Sequence, residues 1–150
     1  MTDTDIDPHR LVVAAHELGH AIVWQASGFT ISEIRVKGHG DGVHGWVSLA
    51  NPNDHNTPEG ERGYQAGLLA AGEAQRRWCD QAGMAFDEYA CQDDYASLRK
   101  RSRTALGSQI RRSAAKSEAQ RLVRVHWNRI VRLAPTLAVR GSLSPSRIGI

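Results

Sequence analysis

Hydrophobic and polar positions along the chain alternate in two rhythms. Leu11, Val12, Ala15, Gly19, Ile22 and Val23 recur at helical spacing and mark one buried stripe. Asp7 suits the N-cap of that helix, Pro8 its first position and Gly28 its termination. From Ile31 to Val36 the rhythm becomes strict alternation with β-branched residues, which predicts a strand. A glycine-rich turn, "GHGDGVHG", follows, and alternation resumes over Trp46–Leu49 to complete a hairpin.

Residues 51–63, rich in Asn, Asp, Pro and Gly, read as a loop. A second helix is expected over Gly63–Gly83, with an Ala- and Gly-rich face suited to close packing. Residues 84–92 form a connector, and a third helix begins at Asp93. A fourth spans Ser113–Ala134 with Leu122 or Val123, Trp127, Ile130 or Val131, and Ala134 on one side. Pro135 is expected to interrupt it, leaving a short helical turn to Gly141. Ser144 and Pro145 form another cap and first-turn pair. The expected architecture is mainly α, a compact helical array with a small two-stranded β-ribbon. Residues 1–7 are read as a flexible leader and 8–150 as one domain.

Composition narrows the setting. No apolar run reaches the roughly 18–20 residues of a membrane span, and the polar, acidic start "MTDTDIDPHR" is no secretory signal. Two cysteines, Cys79 and Cys91, make no disulfide framework and suit reduced thiols in a cytoplasmic setting; Cys91 is also a minor metal-ligand candidate. The net charge of +3 hides an asymmetry: residues 1–98 hold 15 acidic and 6 basic side chains, residues 99–150 one and 13. That split implies an acidic partner for the second half, or self-association between unlike halves.

The candidate chemistry sits in "AAHELGHAIVWQ", Ala14–Gln25. Residues four apart on a helix differ by about 40° in direction and roughly 6 Å in height, so His16 and His20 share a face and can hold one ion. Glu17, rotated by about 100° from His16, reaches the edge of such a site without being a ligand. This is the H-E-x-x-H arrangement of zinc metallopeptidases, in which the metal acidifies water and the glutamate takes its proton. A catalytic zinc needs a third protein ligand. His39, His44, His55, Glu73, Asp87, Glu88, Asp93 and Asp94 are the candidates, and "QDD" stands out because it opens a helix, where one aspartate suffices as a cap.

The stretch "VVAAHELGHAIVWQASG" resembles the zinc helix of the FtsH-type ATP-dependent metallopeptidases. The resemblance continues in order through "ISEIRVKGHGDGVHGWVSLANPND", "GLLAAGEAQRRW", "CQDDYASLRK" and "RLVRVHWNRIVRLAPTLAVRGSLSPSRI", and so covers nearly the whole chain. It implies one Zn2+ per chain held by His16, His20 and Asp94, with Glu17 as the general base. Asp94 is chosen over Asp93 by matching "QDDY" to that family's "SNDL"-like segment. The family joins this domain to an ATPase module and membrane helices, neither of which is expected here. The implied activity is therefore hydrolysis of peptides, unfolded segments or one dedicated protein target, alone or with a separate unfolding ATPase.

Other readings remain open at this stage. Anti-repressor-type regulatory proteases also carry "HELGH" helices, but their downstream Glu-rich ligand segment is not evident. A catalytically inactive or regulatory zinc-binding module is another, its basic C-terminal half contacting nucleic acid or an acidic protein. The basic residues are spread around helices with no aromatic interleaving, which argues against nucleic acid.

Overall fold

The computed structural model describes residues 5–50 and 55–149. The fold is mainly α with one antiparallel two-stranded ribbon. Helix α1 (Pro8–Ala26) leads into β1 (Ile31–Lys37), a 3-10 turn and β2 (His44–Leu49). Then come α2 (Pro58–Ala82), α3 (Gln92–Ser102), α4 (Arg112–Val125), α5 (Trp127–Arg140) and the short α6 (Pro145–Ile148). Among the described residues no helix is long and apolar enough to cross a membrane.

Helix α1 begins and ends where its sequence indicates. Asp7 accepts from His9 N–H at 2.9 Å, Pro8 occupies the first turn, and Gly28 takes φ +94° just past the end. From Ala14 to Trp24 every residue is buried, so α1 is the central helix rather than an amphipathic flank. Helix α2 crosses it closely. A Cβ on Gly19 would stand 2.7 Å from the Ala70 carbonyl oxygen and 2.8 Å from Ala74 Cβ, so glycine sets the approach. Arg10 ties the layers together, donating to Ala138 O at 2.6 Å, Gly38 O at 2.7 Å and Val36 O at 3.3 Å. In the ribbon, β1 pairs with β2 and on its other side bridges Arg35 to Ser142, which leaves β2 at the edge.

Several boundaries differ from expectation. The flexible leader does not extend to Ile6 and Asp7: Ile6 packs in the core, and Asp7 also accepts from Gly40 N–H at 3.0 Å; residues 1–4 lie outside the described residues. Helix α2 starts at Pro58, within the stretch expected as loop, because Thr57 caps it by accepting from Gly60 N–H at 3.0 Å. Residues 51–54 of that loop are outside the described set. The fourth helix breaks at His126 instead of Pro135, and α5 runs through the proline to Gly141. An interior proline costs about 3 kcal/mol. Burial of Ile130, Leu133 and Leu137, at roughly 1.5–3 kcal/mol each, outweighs that cost. Ser144 stands at the N-cap of α6 but makes no capping side-chain bond.

Candidate metal centre

His16 and His20 lie one turn apart on α1, their ring centroids separated by 5.2 Å with planes at 85°. Both are buried, as is Glu17. Each imidazole is gripped from behind by α2. His16 Nδ1 is 2.7 Å from Oε1 of buried Gln75, and His20 Nδ1 is 2.7 Å from the Gly67 carbonyl oxygen. A carbonyl oxygen only accepts, so each ring carries a proton on Nδ1. Trp24 stacks on His20 with centroids 4.9 Å apart and planes within 10°. Gly67 makes that stack fit, since a Cβ there would overlap the indole.

A neutral imidazole protonated at Nδ1 presents a bare lone pair at Nε2. Both Nε2 atoms face Asp94: His16 Nε2 is 3.0 Å from Oδ2 and His20 Nε2 is 3.0 Å from Oδ1. Lone pairs opposed to carboxylate oxygens at that range repel. Positive charge between them, from a metal ion or a proton on each ring, turns the arrangement attractive. In a tetrahedral zinc site with bonds of about 2.0–2.1 Å, neighbouring donor atoms stand about 3.3 Å apart. The two 3.0 Å separations are only a few tenths shorter. Two imidazoles, each fixed by an outer hydrogen bond, plus one carboxylate form a donor set that fits Zn2+.

Glu17 belongs to the same cluster; donor atoms of His16, Glu17 and His20 lie within 4.8 Å of one another. Its Oε1 is 3.9 Å from His16 Nε2, so Asp94 is the nearer third donor. The electrostatics of the metal-free cluster follow from this crowding. Burial lowers His16, but its hydrogen bonding with Asp94, to which the ring donates, and with Cys91, together with the Glu17 charge, outweighs it and raises His16 well above the ordinary imidazole value. Burial pushes Asp94 up, yet the charge of His20 and the hydrogen bonds to both rings hold it far below the carboxylate range. Burial raises Glu17, and the imidazole charges only partly offset it.

A cleft of about 280 Å³ opens onto the cluster, its lining including Glu17, Asp93, Asp94, Val43, His44 and Gly45. The remaining third-ligand candidates stand elsewhere. His39, Asp87 and Glu88 are exposed; Asp87 caps a 3-10 turn, and Glu88 pairs with Arg76 at 3.8 Å. His55 packs on Phe29, and Glu73 lines a separate groove. Asp93 and His44 border the cleft but are exposed. Cys91 is buried with its thiol 3.9 Å from Gln75 Oε1, behind the imidazole rather than in front of it.

Sequence reasoning overlooked Gln75, Gly67 and Gly45. Gln75 had a readable signal: it falls seven residues after Leu68 and four after Ala71, on the buried face of α2, where an amide needs a partner. The other two act through backbone position, which no side-chain pattern reveals. In comparisons with known proteins, no family model and no curated protein matches the chain.

Proposed function

We propose that this chain is a zinc-dependent endopeptidase acting on peptides, unfolded segments or one dedicated protein target. The observation that carries the reading is the convergence of two Nε2 lone pairs and the Asp94 carboxylate beside a buried glutamate at the floor of an open cleft. The ordered resemblance to the FtsH-type peptidases supports it. His16, His20 and Asp94 would hold the ion. When bound, Zn2+ supplies Lewis acidity, bringing the ionisation of water toward neutral pH and polarising a carbonyl.

The chain's own residues do the rest. Gln75 and Gly67 lock the tautomers that free both Nε2 atoms. Burial makes Glu17 a stronger base than an exposed carboxylate, which suits it to accept a proton at Oε1 and return it to the leaving amine. The outer edge of β2 borders the cleft, where an extended peptide can add as a strand and lay its backbone past Glu17. Folded substrates would require a separate unfolding ATPase. The free thiols of Cys79 and Cys91 suit a reducing, cytoplasmic setting.

The test is Glu17→Gln. It is expected to retain one Zn2+ per chain and to lose peptide cleavage by about 10²–10⁴-fold. Cleavage by the variant at the wild-type rate refutes the base. A wild type that holds zinc yet cleaves nothing in a broad peptide library favours a non-catalytic zinc module.

A further inference from the structure

We infer that the pair formed by buried Glu61 and half-buried Arg101 positions Asp94 for metal binding, an inference that rests on the zinc reading above. Asp94, Leu98 and Arg101 are spaced so that all three share one face of α3, within about 60° of one another at 100° per residue. Leu98 is the helix's one buried residue. At 11 residues α3 is shorter than the roughly 12–15 that hold a helix in isolation, so these three anchors set its place.

The anchors differ in kind. Apolar burial of Leu98 is non-directional and lets the helix slide or rotate. Asp94 meets the imidazoles, so it is the group to be placed. Direction comes from Arg101, whose Nε stands 2.9 Å from each carboxylate oxygen of Glu61. Its guanidinium carbon lies 4.5 Å from the centre of the Tyr64 ring. Glu61 is 1% exposed, and Gln65 Nε2 donates to its Oε1 and to the Gly107 carbonyl oxygen, both at 3.1 Å. Gly107 belongs to the turn after α3, so the same network holds the helix and its exit.

The clamp is also continuous with a ligand. The Tyr64 ring under Arg101 stacks with Trp24 at 5.8 Å, and Trp24 stacks on His20. Helix α2 thus serves the centre twice: Glu61 holds the helix that carries Asp94, and Gln75 orients His16. Arg101 lies about 10.5 Å along the helix axis from Asp94. Released there, α3 keeps Leu98 and the Gln65–Gly107 bond beyond its end, neither of which fixes rotation about the helix axis as a directed ion pair does, and that rotation withdraws Asp94 from the imidazoles.

A double-mutant cycle tests this, with Zn2+ affinity measured by competition against a chromophoric chelator. Arg101→Met is expected to weaken Zn2+ binding by roughly 10–100-fold in the native background. In an Asp94→Ala background, where only the weak residual Zn2+ affinity of the two imidazoles is left to titrate at high metal concentration, the same change is expected to have no effect, because Arg101 acts through Asp94. Arg101→Lys, which keeps charge but not the planar fork, is expected to fall between wild type and Arg101→Met. Unchanged affinity in Arg101→Met, or an equal loss in both backgrounds, overturns the inference. Should Arg101→Met fail to fold by circular dichroism, Arg101→Lys runs the same cycle under the same criterion. A wild type that takes up no Zn2+ overturns this inference together with the zinc reading. Wild-type uptake with an unaffected Arg101 variant overturns the inference alone.

Discussion

Gly45→Ala probes the link between the ribbon and Glu17, the proposed general base. Strand β2 passes so close to α1 that a Cβ on Gly45 would stand 2.8 Å from Glu17 Cγ, 3.1 Å from Val13 Cγ1 and 2.6 Å from the Arg35 carbonyl oxygen. Carbon atoms rest at about 3.5–4.0 Å. The Arg35 oxygen is held in the β1–β2 pairing and yields little, so Glu17 must retreat by about 0.7–1.2 Å. A displacement near 1 Å of a positioned group costs on the order of 10²-fold in rate. The strain itself is expected to cost about 1–3 kcal/mol of stability, a loss of several degrees in Tm. The three atoms nearest the new methyl belong to Arg35, Glu17 and Val13 and to none of His16, His20 and Asp94, so zinc content is expected to stay at one per chain. The assay pairs kcat on a fluorogenic peptide with metal analysis and a thermal melt. A variant with full zinc, lowered Tm and wild-type kcat would refute the placement of Glu17 as the base.

Gln75→Leu removes the acceptor behind His16 and is expected to weaken Zn2+ affinity about 10–100-fold, while Gln75→Glu, which keeps an acceptor, restores most of it; equal losses in both would contradict the orienting role. Chelator-treated protein is expected to be most stable at about pH 4–5 and to decline as pH rises above that. Asp94, lowered in the folded state, contributes above the ordinary carboxylate value and loses that contribution as pH falls through its depressed pKa. His16, raised in the folded state, contributes fully below the ordinary imidazole value and loses it as pH rises through its elevated pKa, while raised Glu17 subtracts stability from pH 4.5 upward. Excess Zn2+ is expected to abolish the alkaline decline, because the ion replaces the protons. A metal-free Tm that climbs from pH 7 to 9 would contradict this.

The parts of the structure governed by local chemistry were legible in the sequence. Asp7, Pro8 and Gly28 bracketed α1 because caps act within one turn, and alternation from Ile31 marked β1 because the pleat has a fixed period. His16 and His20 share a face for the same reason. The parts governed by distant packing were not legible. Pro58, Gly60 and Glu61 have loop-like composition, yet Thr57 starts α2 there and buried Glu61 finds its partner, Arg101, 40 residues on. His126 carries no breaking signal, whereas Pro135 does; burial of the α5 face overrides the proline. Asp94 was separated from Asp93 by resemblance alone. The structure places Asp94 against both imidazoles and leaves Asp93 exposed, a distinction that depends on how α3 is rotated against α2.

The most direct measurement is zinc stoichiometry in tag-free protein for the wild type and for Asp94→Ala and Asp93→Ala separately. One Zn2+ per chain is expected in the wild type and in Asp93→Ala, with loss of the ion in Asp94→Ala. A wild type without zinc, or an Asp94→Ala protein that keeps it while Asp93→Ala does not, contradicts the centre described here.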